Sequence, residues 1–201
     1  MENKVKIAVL VSGGGTNLQA LIDAEKAGII ESGKISLVIS NKADAYALER
    51  ARNADIETAV VLRKDYADSL AFEEAIKALL TEKGIDVIVL AGFMSILSEN
   101  FTGAYPERII NVHPSLIPSF CGKGFYGLRV HEAALEYGVK VTGATVHFVN
   151  EIPDGGRIIM QKAVEIQDGD TPEVLQKRVM QEAEWKILPA ALEKVAASLT
   201  K

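Results

Sequence analysis

Apolar positions along this chain fall into two alternating patterns. Short runs rich in β-branched residues, Val5–Ser12, Ile35–Ser40, Thr58–Leu62 and Asp86–Gly92, read as strands. Between them, apolar residues recur every three or four positions over Asn17–Lys26, Ala45–Asn53 and Ser69–Lys83. In the last of these, Phe72, Ile76, Leu79 and Leu80 share one helical face. Val87–Ala91 is apolar without a break, as a strand covered on both faces must be. Strands alternating with helices predict an α/β fold with a mostly parallel sheet.

From Arg108 the pattern changes. Arg108–His113 is a short strand closed by Pro114, which has no N–H to carry a ladder further. A loop rich in Pro, Ser and Gly runs from Pro114 to Gly127, and Val130–Tyr137 then has helical spacing. Val141–Val149 and Arg157–Ile166 are longer strands, joined by a connection short enough to be antiparallel. The expected sheet is therefore mixed, of about seven strands, and flanked by helices. Thr171-Pro172-Glu173 opens the last helix with a capping hydroxyl, a proline at the first helical position and an acid facing the helix dipole. Pro189 is expected to bend that helix or split it in two.

Composition narrows the function. The 201 residues suit a single domain, and 22 Lys and Arg against 27 Asp and Glu leave a net charge of −5. Without a long basic run, such a chain has little grip on a nucleic-acid backbone. Its one cysteine, Cys121, excludes an internal disulfide and a paired-cysteine zinc site. After the polar start Met1–Lys4, the apolar run Ile7–Val11 is too short for a signal peptide, and Val87–Met94 is too short to cross a bilayer. No membrane partner and a cytoplasmic location are expected.

Three segments could carry chemistry. Ser12-Gly13-Gly14-Gly15-Thr16-Asn17 lies between the first strand and the first helix, where exposed N–H groups and a helix N-terminus favour an anion, most naturally a phosphate. It lacks the third glycine of the dinucleotide fingerprint, where Leu18 stands, and the Gly-Lys-Ser/Thr of a nucleotide P-loop. It is either an anion site or a tight turn with no ligand. In Asn111-Val112-His113, residues two apart on a strand project together, at the carboxyl end where open α/β sheets bind ligands. An amide beside an imidazole can polarise a carbonyl and move a proton, although a strand-end histidine can also be merely satisfied. Asp154-Gly155-Gly156 either brings a carboxylate to that histidine or is an Asp-Gly turn without function.

Other residues weigh less. His131, beside Glu132 in a helical segment, is expected on the surface, and His147 in a core or supporting position. Cys121 has no base close in sequence, and Trp185 reads as core. The three histidines are dispersed and have no cysteine cluster, so no metal is expected.

Taken together, these segments resemble the phosphoribosylglycinamide formyltransferase family of folate-dependent enzymes over nearly the whole chain. The resemblance is carried by 11–20, Ser40-Asn-Lys-Ala-Asp44, 90–97, Asn111-Val-His-Pro-Ser-Leu-Ile-Pro118, Thr145-Val-His-Phe-Val149 and Asp154-Gly-Gly156. It implies a single formyltransferase-type domain with a Rossmann-like N-terminal half. Residues 1–105 would be the ribonucleotide-binding half and 106–201 the folate-binding and catalytic half. It implies formyl transfer from 10-formyltetrahydrofolate, a co-substrate, to the amine of phosphoribosylglycinamide in purine synthesis. The expected partners are small molecules, and the expected state is a monomer or weak homodimer. The family's catalytic residues fall on Asn111, His113 and Asp154, with Asp154 expected to raise the His113 pKa. Its ribonucleotide contacts fall on Gly15, Thr16, Asn17, Leu18 and Glu184. Its folate contacts fall on Met94, Ser95, Ile96 and Leu97, on Asn111, and on Asn150, Glu151, Ile152, Pro153 and Asp154.

Two departures stand out. The family usually carries basic residues where this chain has Ser69 and Ser95, both near the glutamate tail of the folate, so weaker discrimination of tail length is expected. Two related enzymes fit the sequence less well. Formyltetrahydrofolate hydrolase carries an extra N-terminal regulatory domain, for which a first strand at Val5 leaves no room. Methionyl-tRNA formyltransferase carries a C-terminal tRNA-binding domain, whereas this acidic chain ends at Lys201. A non-catalytic phosphate-binding module would need the glycine loop but not Asn111, His113 and Asp154 together.

Overall fold

Strand β1, Val5–Val11, divides its side chains between two cores by simple alternation. Ile7, Val9 and Val11 pack into one core and Ala8 and Leu10 into the other. That double burial makes β1 a central strand, and the computed structural model, which describes residues 4–200, places it in the middle of a seven-stranded sheet ordered β3-β2-β1-β4-β5-β6-β7. The polar start read at Met1–Asn3 lies outside the described residues.

The other strands are β2 (Gly33–Ser40), β3 (Glu57–Val60), β4 (Val87–Leu90), β5 (Ile109–His113), β6 (Val141–Phe148) and β7 (Ile158–Glu165). The first five pair in parallel, while β5–β6 and β6–β7 pair antiparallel, giving the mixed sheet expected. Helices α1 (Thr16–Lys26), α2 (Tyr46–Arg52) and α7 (Trp185–Leu199) send Leu18, Leu21, Leu48, Leu188 and Leu192 into the core on one face. On the other face α3 (Ser69–Lys83) contributes Phe72, Ile76 and Leu80, and α4 (Glu99–Thr102) contributes Phe101. The Asp68 carboxylate caps α3 by accepting from the Ala71 N–H at 2.8 Å, and Ser98 caps α4. No described helix is long and apolar enough to cross a membrane.

The order in which strands are added reverses between the parallel neighbours β1 and β4, since β1 leads outward to β2 on one side and β4 to β5 on the opposite side. In such sheets a crevice opens beyond the carboxyl ends of the strands at that switch. The loops after β1, β4 and β5 all emerge there. Helix α5 (Leu128–Tyr137) and α6 (Pro172–Val179) flank the second half.

The end of the chain corrects one expectation. Pro189 neither splits nor interrupts its helix, because α7 runs through it to Leu199. The irregularity falls upstream, where Met180–Glu184 winds as a single π-helical stretch between α6 and α7. Pro189 lies only four residues into α7, so its absent N–H would have reached no further back than Trp185 at the helix start.

Candidate active site

Alternation along β5 sends Ile110 and Val112 into the core on one face and leaves Asn111 and His113 on the other. Both line a cavity of about 810 Å³ at the carboxyl edge of the sheet. Its walls include Met94, Ser95 and Ile96 from the loop after β4, Pro153 and Asp154 from the loop between β6 and β7, and Asn17 and Glu184 from α1 and the π-helical stretch. Met94 and Ile96 expose apolar side chains, at 55% and 71%, side by side on this wall.

The polar centre is a connected set. The His113 Nδ1 lies 3.5 Å from Asp154 Oδ2, and its Nε2 donates to the Phe120 carbonyl at 2.9 Å. The Gly122 N–H donates to the same carboxylate oxygen of Asp154 at 2.8 Å, so the segment around Cys121 clamps both groups through its backbone. Across the strand pair, Asn111 sits directly opposite His147, and its Nδ2 lies 3.2 Å from His147 Nε2. The His147 Nδ1 donates to the Phe148 carbonyl at 2.8 Å, which orients the ring with Nε2 toward Asn111. That nitrogen is also 3.5 Å from Asp154 Oδ1. Only one of the two Asn111 amide hydrogens is used by His147, and the second is available to the cavity.

Backbone geometry fixes the acid. Asp154 adopts a left-handed φ of 56°, which Asp and Asn tolerate better than most residues. A Cβ at Gly156 would stand 1.7 Å from the Phe148 carbonyl oxygen, so only glycine lets this loop pass against the group that fixes His147.

Burial dominates His113 and holds its pKa below the ordinary value, although Asp154 and the Phe120 carbonyl act in the opposite direction. The contribution expected of Asp154 is present, since its carboxylate raises the imidazole's affinity for a proton, but desolvation outweighs it. Burial pushes Asp154 up, but His147, His113 and the Gly122 N–H together bring it below the usual carboxylate range. Across the cavity, Glu184 is buried and pushed up to about 7, only partly offset by the Asn17 amide that donates to it at 2.7 Å.

The formyl transferase family matches residues 5–192. The phosphoribosylglycinamide formyltransferase of Haemophilus influenzae is 46% identical over 188 residues, covering 94% of this chain and 85% of that protein. The chain belongs to the formyl transferase family. The human trifunctional purine biosynthetic protein adenosine-3 is 48% identical over 196 residues; the match covers 98% of this chain but only 19% of that much longer protein. The crystal structure of glycinamide ribonucleotide transformylase 1 from Symbiobacterium toebii superposes with a TM-score of 0.91 at 43% identity, over 97% of this chain and 89% of that one.

Within this formyl transferase fold, the residues singled out from sequence divide by position. Asn17, Met94, Ser95, Ile96, Asn111, His113, Pro153, Asp154 and Glu184 line the cavity. Leu97 and Leu18 turn their side chains into the core and stand outside the cavity wall. Gly15 and Thr16 stand at the start of α1, and Asn150, Glu151 and Ile152 form the outer part of the Asp154 loop, all outside the cavity wall. Ser95 accepts from the Asn41 amide at 3.1 Å, and Ser69 accepts from Arg63 at 3.3 Å.

One expectation fails outright. His131 is fully buried, not on the surface, with both ring nitrogens unpaired among the described residues and its pKa pushed down by burial to about 4. Its neighbour Glu132 is exposed, and one position along a helix turns a side chain by about 100°. Sequence reasoning also missed Phe120 and Gly122, which act through backbone atoms, and Gln176 and Met180, which complete the wall from α6 and the π-helical stretch. The one available signal was the glycine spacing Gly122, Gly124 and Gly127, all at positive φ.

Proposed function

We propose that this chain transfers the formyl group of 10-formyltetrahydrofolate to the primary amine of phosphoribosylglycinamide. The observation that carries the reading is the convergence of Asn111, His113 and Asp154 on one cavity that Asn17 and Glu184 border on another side. A cavity of about 810 Å³ with exposed Met94 and Ile96 on its wall suits the flat, largely apolar ring system of a folate. On this reading residues 1–105 carry the ribonucleotide site and 106–201 most of the folate and catalytic site. Small molecules as partners, a cytoplasmic location and a monomeric or weakly dimeric state belong to the same proposal.

The residues act on charge and protons. As the neutral amine attacks the formyl carbon, negative charge gathers on the formyl oxygen, and the free Asn111 N–H is placed to stabilise it; removing one such donor typically slows a reaction about 10²–10³-fold. Forming the new C–N bond leaves a proton on the amine, and breaking the old one requires a proton on N10 of the departing tetrahydrofolate. His113 and Asp154, 3.5 Å apart, form the pair that can accept the first and supply the second. The carboxylate stabilises the imidazolium while it exists, and burial returns His113 to its neutral form.

The test follows deformylation of a 10-formyl folate with and without phosphoribosylglycinamide. Turnover that depends on the amine supports transfer. Formate release without the amine points to a hydrolase, and no turnover in either mixture overturns the reading.

A further inference from the structure

Helix α2 sits behind the glycine loop and engages its backbone. The Ala47 N–H donates to the Gly13 carbonyl at 3.0 Å, and Arg50 Nε donates to the Gly14 carbonyl at 2.8 Å. The Gly15 carbonyl accepts from the Gln19 N–H at 2.9 Å, the first bond of α1. The loop's carbonyls are thus directed toward α2 or along α1. A peptide unit is planar and trans, so the N–H that follows each carbonyl points the opposite way. The N–H groups of Gly14 and Gly15 therefore face away from α2, and that of Thr16 leaves the α1 N-terminus without an intrahelical partner. The loop is open to solvent there: a Cβ at Gly13 or Gly14 would meet nothing within 4 Å, whereas one at Gly15 would stand 2.6 Å from the Ala47 Cβ.

We propose that Arg50 is a positioning residue for phosphate recognition, holding the Gly14–Gly15 peptide so that the Gly15 N–H faces the substrate's phosphate. The inference rests on the ribonucleotide reading of this loop given above. Arg50 is itself fixed on three sides. Its Nη1 donates to Gln19 Oε1 at 3.1 Å, Gln19 in turn donates to Asp23 at 2.9 Å, and the guanidinium carbon lies 5.0 Å over the Tyr46 ring. A planar fork can bond Gly14 and Gln19 while lying on an aromatic ring, and a lysine ammonium cannot reproduce that set. Arg50 stands on the α2 side of the loop and acts through the peptide it pins.

The test compares the full-length wild type with R50K and R50M. Titration calorimetry with ribose 5-phosphate reads phosphate recognition without turnover. Steady-state kinetics with phosphoribosylglycinamide and with its dephosphorylated riboside reads the same site during turnover. R50M is expected to bind ribose 5-phosphate about tenfold more weakly, with the KM for phosphoribosylglycinamide rising in proportion and kcat changing little. R50K, which keeps the charge and loses the fork, is expected to be weakened as well, while riboside kinetics stay as in the wild type. Wild-type affinity in R50K overturns the inference, as does an equal loss on the phosphorylated and dephosphorylated substrates. Should R50M fail to fold, the R50K comparison decides alone. A wild type that turns over no phosphoribosylglycinamide refutes the proposed function, yet the calorimetry still tests Arg50. A wild type that binds no ribose 5-phosphate overturns the phosphate reading and this inference together.

Discussion

Asp154 combines a left-handed backbone with a carboxylate held between two imidazoles, and the two demands can be separated by substitution. Asn tolerates that backbone as Asp does, so D154N should keep the fold while losing the charge that stabilises an imidazolium. A kcat lower by about 10² or more, with an unfolding midpoint near that of the wild type, is the expected result. G156A is the opposite case: its methyl must displace the Phe148 carbonyl that accepts from His147, at a cost of about 1–3 kcal/mol in a urea melt. Activity should fall with it, because His147 loses the bond that orients its ring beside Asn111 and Asp154. Titration gives a third test. His131 is held to about 4, below the ordinary histidine value of 6.5, so between those pH values the unfolded chain binds more protons and stability rises with pH. H131L should flatten that rise, by on the order of 3 kcal/mol between pH 4 and 7. Glu184 works in the other direction: raised from 4.5 to about 7, it makes the folded state the better proton binder, so its contribution is lost as pH rises through that window. The urea midpoint of E184Q relative to that of the wild type should therefore rise from pH 4.5 to 7.

Among the elements, the contact between α3 and α4 reaches furthest into function. Glu73, buried on α3, accepts from the Ser98 N–H at 2.8 Å and from the Ser98 hydroxyl, and Ser98 both caps α4 and ends the loop that carries Met94, Ser95 and Ile96. E73A should cost about 1–3 kcal/mol, because it leaves the cap unpaired. It should also raise the KM for the folate several-fold while sparing that for phosphoribosylglycinamide, which two-substrate kinetics would separate. Strand and helix positions were legible because period alone places them: β1, α1, α3, β4 and β5 fall where the apolar spacing puts them, within a residue or two. The π-helical stretch at Met180–Glu184 was not legible, since a proline is a visible break and an extra residue within a helix is not. His131 was misread because its burial depends on how α5 docks on the rest of the fold, close enough to His113 to feel its charge, which one helix's own spacing does not specify.

At the scale of the molecule, the site exists because parallel strands deliver their carboxyl ends to one edge and the switch between β1 and β4 opens a crevice there. The amino-acid sequence by itself determined the α/β class, the glycine loop at the first helix N-terminus and the shared face of Asn111 and His113, because each follows from short-range geometry: period, turn conformation and alternation. It also carried the family resemblance. The tertiary structure alone decided the rest. Asn111 meets His147 only through the antiparallel register of β5 on β6, and Asp154 reaches both histidines only through the loop that Gly156 lets pass Phe148. Phe120 and Gly122 contribute backbone atoms, which no side-chain pattern announces. The net shift at His113 likewise depends on how much solvent the packed site removes, a quantity set by every wall at once.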